Sequence, residues 1–381
     1  MKISAGRDRA TRWSIGLVAA AGIVAAVVGL TGAGLGSDRD QRAAAVVAGP
    51  GATGAVGSPA RPRSASAGLV ALRSDDPPAT PRSARPVTGG TGRPAGMSRF
   101  RSSERPNLDA AQLLAGVGVL PPGWSASSAT VSVNGLDRSY LVVQPDRVTS
   151  AVPVVVLMHG RNMSPDAVLH ISGLAGQTGP AVLLLPAGWH ESWDSGNCCG
   201  VAFTARTNDV GFIQAALRAV VAAEPVLRSS PVYAVGFSNG GRMAYQLACD
   251  LPGVFSAMMA VEAVPVQSCP SLHPMNITVV AQQNDPLLTV DPGGQPKTIG
   301  GYVEPTVPAT LAHLAFLDRC SAPSRLTVTG AALERSWSCA AGTQLRYIWY
   351  PGGTHSWRAA TPTTPGATDY VLQLLGEPQP H

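Results

Sequence analysis

Residues 236–240 read Gly-Phe-Ser-Asn-Gly, and two distant positions, Asp285 in "QQNDP" and His355 in "GGTHSW", complete a set able to do chemistry. A serine hydroxyl is a poor nucleophile at neutral pH, so it needs an imidazole to take its proton and a carboxylate to hold that imidazole. Such a trio attacks acyl carbons. The glycines matter as much as the serine, because a chain passing from strand to helix within one residue leaves no room for side chains on either side. Ser238 then stands on the turn, with the helix N-terminus beneath it stabilising negative charge. With 42 glycines in 381 residues the pattern alone decides little, so the elements around it must decide.

Those elements alternate. "VPVVVLMHG" (152–160), "AVLLLP" (181–186), "VYAVGF" (232–237), "ITVVA" (277–281) and "LRYIWY" (345–350) are the continuous apolar runs of strands covered on both faces. "ATVSVNGLDRSYLVVQ" predicts two strands joined at Asn134-Gly135. Between 208 and 224, Phe212, Ile213, Ala216, Leu217, Val220 and Val221 recur at helical spacing. Ser164-Pro165-Asp166 has helix-start chemistry, and further helices are expected after Gly240, in "PATLAHLAFLDRC" and near 370–375. Strand and helix taking turns predicts an α/β fold, a mostly parallel sheet with helices on both faces. Residues 120–378 form the expected catalytic domain.

Chain order narrows the chemistry further. In an α/β-hydrolase arrangement the acid follows the serine at the end of a later strand, and the histidine comes last, on a loop. Asp285 and His355 fit those places; Asp291, six residues along the same loop, is the rival acid. His273, His313 and His381 fit none of them. The oxyanion needs backbone donors, expected at Asn239 and at Arg161 in "LMHGR", with His159 organising that loop.

The N-terminal third reads differently. Residues 1–108 hold 15 Lys+Arg against 6 Asp+Glu, whereas the remainder is net −4, so the overall +5 belongs to the tail and gives no reason to expect a nucleic-acid partner. Arg7, Arg9 and Arg12 precede an uncharged apolar run from Ser14 to Leu30, which predicts a signal peptide or N-terminal membrane anchor over 1–36, with cleavage left open. Residues 37–108, rich in Ala, Pro, Gly and Arg, predict a disordered linker. The expected location is secreted or extracytoplasmic, with membrane contact only through the N-terminal segment.

The ordered blocks "VVVLMHGR", "GWHESWDSGNCCG", "NDVGFIQAAL", "VYAVGFSNGGRMAYQLACDLPGVFSAM", "NDPLLTVDPGG" and "GGTHSW" resemble the secreted polyhydroxybutyrate depolymerase and feruloyl esterase group of the α/β-hydrolases over about 125–360. The resemblance implies a serine carboxylesterase without metal or organic cofactor, with Ser238, Asp285 and His355 as its triad. It also implies a substrate-lining Trp193, to which we add His159, Trp189 and the loop 290–308. Asn208-Asp209 stands where the group commonly has paired aspartates, and "VVAQQND" replaces its usual His-Gly before the acid. Six cysteines in an exported chain predict disulfides. Resemblance and proximity favour Cys320 with Cys339 and Cys249 with Cys269, leaving Cys198 and Cys199 as a vicinal bridge or free thiols. Neither CxxC nor HExxH spacing occurs, which disfavours zinc. Two other readings use the same scaffold: an acyltransferase acting on an envelope glycan or lipid, and a non-catalytic binding module.

Overall fold

The structure is a computed structural model that describes residues 107–376 apart from Asn197 and Gly300. The expected signal or anchor segment 1–36, all but the last two residues of the expected linker, and His381 lie outside the described residues. Among the described residues no helix is long and apolar enough to cross a membrane.

A short helix, α1 (Ala110–Gly116), comes first, capped by the Asp109 carboxylate on the Gln112 amide; it lies ahead of the elements expected from the sequence. The hairpin β1 (Trp124–Val133) and β2 (Leu136–Pro145) turns at Asn134-Gly135 as expected, pairing Val133 with Leu136. Then follow β3 (Val154–Met158), α2 (Pro165–Ser172), β4 (Val182–Pro186), α3 (Gly200–Ala205) and α4 (Asp209–Ala223). Next come β5 (Val232–Phe237), α5 (Asn239–Asp250), β6 (Ala257–Val261) and β7 (Asn276–Gln282). A small hairpin, β8 (Lys297–Ile299) with β9 (Tyr302–Glu304), precedes α6 (Val307–Leu317). The chain closes with β10 (Thr327–Thr329), β11 (Ala332–Ser338), β12 (Gln344–Tyr350) and α7 (Ala367–Leu375).

Ten strands form one sheet in the order β1-β2-β4-β3-β5-β6-β7-β12-β11-β10. The stretch from β4 to β12 is parallel, and the antiparallel β1-β2 and β11-β10 flank it. Side chains alternate across a strand, so Val154, Val156 and Met158 of β3 enter one core while Val155 and Leu157 enter the other. The first core is covered by α4, α5 and α6, through Phe212, Met243 and Leu311 among others. The second is covered by α1, α2 and α7, through Leu113, Val168 and Val371. This is the α/β-hydrolase fold, with helices on both faces as expected. Burial on both faces explains why the central strands read as unbroken apolar runs. Ser164 stands at the N-cap of α2 with Pro165 and Asp166 in the first turn, as expected, although its hydroxyl makes no capping hydrogen bond.

All six cysteines are paired, Cys249–Cys269, Cys320–Cys339 and the adjacent Cys198–Cys199. The first ties the end of α5 to the loop after β6, and the second ties the loop after α6 to the end of β11.

Candidate active site

Ser238 occupies the single residue between β5 and α5, with φ +53° and ψ −119°. Positive φ costs a non-glycine residue on the order of 1–3 kcal/mol, so the surroundings must impose it. They do so through backbone: the Ser238 amide donates to Val261 O at 2.8 Å, and the Arg242 amide donates to Ser238 O at 3.1 Å. The glycines permit the turn. A Cβ on Gly236 would fall 2.1 Å from Gly240 O, and a Cβ on Gly240 would fall 2.3 Å from Met158 O. The start of α5 therefore rests directly on the end of β3, which brings the loop after β3 to the serine.

His355 lies on the glycine-rich loop after β12. Its Nε2 is 2.7 Å from Ser238 Oγ, and its Nδ1 is 2.6 Å from Asp285 Oδ2. Gln282 at the end of β7 holds this loop, its side-chain amide donating to the carbonyls of Thr354 and Ser356 and to the Ser356 hydroxyl. The departure "VVAQQND" is thus a structural device. Gln283, its neighbour, bonds to Asp291, so the rival acid sits exposed on the side chain of Gln283 rather than on His355.

Asp285 is buried, and its Oδ1 accepts the amides of Leu287 at 2.6 Å and Leu288 at 3.3 Å. Burial by itself would raise this carboxyl, but hydrogen bonds from His355 and from the Leu287 amide help to outweigh it and hold the group at about 2. The carboxylate therefore stays ionised through any working pH. Lys297 closes the loop from below, donating to Asp285 O at 3.2 Å and Pro286 O at 3.0 Å, a role that no local signal marks.

Among the described residues no acceptor is found for the N–H of Arg161 or of Asn239, the two donors expected for an oxyanion. Asn239 is fixed through its side chain, which accepts from Trp193 N–H at 2.8 Å and donates to Ser195 Oγ at 3.1 Å. Trp193 and His159 correct an expectation. Both are 0% exposed, so neither lines a surface open to substrate. Instead Trp193 Nε1–H donates to His159 O at 2.8 Å, and His159 Nε2 accepts the Gly188 amide at 2.9 Å while Nδ1–H donates to Gly160 O at 2.8 Å. Burial pushes the His159 imidazole down to about 4, keeping it neutral for both bonds. They form the wall behind the Arg161 loop.

Arg242, one turn into α5, joins two loops to the helix that carries the serine. Its guanidinium donates to Glu304 of β9 and to the sulfurs of Cys198 and Cys199 at 2.8 and 2.9 Å. Two groups of side chains have the right atoms for a metal ion among the described residues. In Asp318, Cys320 and Cys339 the sulfurs are spent in a disulfide. In Glu262, Asp285 and His355 the facing atoms of aspartate and histidine are spent on each other.

No family model matches the chain. It is 26% identical over 245 residues to esterase NocK of Nocardia uniformis subsp. tsuyamanensis, across 58% of this chain and 71% of that protein. It is 29% identical over 171 residues to feruloyl esterase C of Aspergillus niger, across 42% of this chain and 59% of that protein. The chain thus spans about six tenths of this fungal relative. Among solved structures, acetyl xylan esterase from Aspergillus awamori superimposes with a TM-score of 0.46 at 14% identity, over 66% of this chain and 99% of that one.

Proposed function

From its place in the esterase-type group of α/β-hydrolases, we propose that this chain is a serine carboxylesterase that works through an acyl-enzyme. The observation that carries the reading is the unbroken line from Ser238 Oγ through the His355 imidazole to the Asp285 carboxylate. As His355 Nε2 takes its proton, Ser238 Oγ attacks the ester carbonyl, and the oxyanion that forms rests against the amides of Asn239 and Arg161. Collapse expels the alcohol, protonated by His355. Water, deprotonated by His355, then attacks the acyl carbon and frees the acid and the serine. The chemistry draws on no metal and no organic cofactor.

The substrate is an ester of the polyhydroxyalkanoate, feruloyl or acetyl class; the names of the relatives and the resemblance in sequence support that range. Three disulfides suit an oxidising compartment, which supports export. Turnover of p-nitrophenyl acetate and butyrate by the wild type and by Ser238→Ala tests the proposal. Loss of at least about a thousandfold is expected in the variant, together with fluorophosphonate labelling of the wild type alone. Equal turnover by both would sink the assignment.

A further inference from the structure

We propose that Glu262, which follows β6, is a positioning residue for this reaction: a neutral carboxylic acid that donates its proton to Asp285, so that the acid behind His355 is a carboxyl pair sharing one proton. The inference rests on the roles given above to Ser238, Asp285 and His355.

Three observations converge on it. Glu262 is 1% exposed and lies at φ +51°, with its amide donating to Val280 O at 2.9 Å. Its Oε2 accepts the Gln282 amide at 3.3 Å, but its Oε1 is buried with no donor among the described residues. Its carboxyl, the Asp285 carboxyl and the His355 ring gather within 4.8 Å of one another.

An ionised Glu262 would be a second buried negative charge against Asp285, with one oxygen left bare. Such an arrangement is costly, and a proton on Oε1 removes both faults at once by supplying a donor to Asp285. The neighbouring groups leave no other remedy. Around the pair stand Tyr347 and Tyr350 of β12, whose hydroxyls burial pushes up; Arg242 of α5 is committed to Glu304 of β9, and Asp291 to Gln283. Burial first, then the hydrogen bond and charge of Asp285, push the Glu262 carboxyl up to about 10. The proton remains on Glu262 through the cycle, and only the Ser238 proton travels to His355. Asp285 is thereby held by His355, two backbone amides and Glu262, and the imidazolium faces one negative charge rather than two.

Glu262→Gln and Glu262→Ala in the full chain test this, read by kcat, KM and the pH profile on p-nitrophenyl butyrate. Glutamine keeps a neutral donor, so kcat should stay within about threefold and the acidic limb of the profile should not move. Alanine removes a hydrogen bond to a charged group, so kcat should fall about tenfold to a hundredfold with KM unchanged. Independently of turnover, the infrared absorption of a protonated carboxyl at pH 8 should be present in the wild type and missing from Glu262→Gln. The proposal fails if glutamine lowers the acidic limb by about one unit or more, as removal of a charge would, or if alanine retains wild-type kcat. It fails equally if the infrared difference is absent. That measurement needs no substrate, so a wild type that hydrolyses no ester and takes no fluorophosphonate would overturn the esterase reading while leaving the carboxyl pair decided by its own band.

Discussion

Arg138 and Asp209 meet at 2.6 Å with side chains 1% and 0% exposed, joining β2 to the first residue of α4. Arg138 lies 4.2 Å over the Phe212 ring and donates to Ala187 O at 3.1 Å, while Asp209 Oδ2 accepts the Asp194 amide at 2.6 Å. The pair therefore clamps both ends of the segment 187–194 that delivers Trp193 to the Arg161 loop. Removing one partner of a buried pair strands the other charge, at a cost of about 3–5 kcal/mol. For a domain of this size Asp209→Ala should lower the thermal midpoint by roughly 6–20 °C. An unchanged midpoint in calorimetry would show that Arg138 regains water.

Gly240 sits in the first turn of a helix, where alanine ordinarily gains about 1 kcal/mol over glycine. Here the sign reverses. The added methyl would lie 2.3 Å from Met158 O and 2.5 Å from His159 O, both backbone atoms that cannot rotate away. Gly240→Ala should therefore be destabilising by several kcal/mol, about 3 or more by analogy with severe overpacking, and should lose turnover through displacement of Ser238. Chemical denaturation alongside esterase assay decides it; a variant as stable as the wild type would contradict the close approach.

How much of this was legible before the fold depends on where each signal lies. Ser238, Asp285 and His355 each come after an apolar run and have glycine or proline close beside them, so local pattern marks them. β6 was not legible: "AMMAV" is built largely from residues that favour helices, and it becomes a strand because β5 and β7 offer backbone partners on both sides. Glu262, at its end, therefore carried no signal. Arg138 with Asp209, and Gln282 with the His355 loop, are pairings across long stretches of chain that composition cannot reveal. Trp193 is marked by the family resemblance, but only packing shows that it faces inward.

His159 gives the structure an acid sensitivity of its own. Burial holds its folded-state value at about 4, below its ordinary 6.5. Between those values the unfolded chain binds the proton and the folded chain does not, so stability falls as pH drops from 6.5 toward 4. His159→Gln, which retains a side-chain amide for the neighbouring backbone, should show a flatter loss over that window in urea titrations. Parallel slopes for the two proteins would remove His159 as a source.

Glu262 predicts the opposite trend at alkaline pH. Its folded-state value of about 10 stands above the ordinary 4.5, so between them the folded protein keeps a proton that the unfolded chain has released. Stability must then fall as pH rises from 4.5 toward 10, because the native state binds more protons than the unfolded one. Glu262→Gln carries no such proton in either state, and it should gain on the wild type steadily from pH 5 to pH 9. Thermal midpoints of both proteins across that range measure the difference: lines that diverge with pH follow from a neutral Glu262, whereas lines that stay parallel require the carboxyl to ionise as readily in the fold as in water.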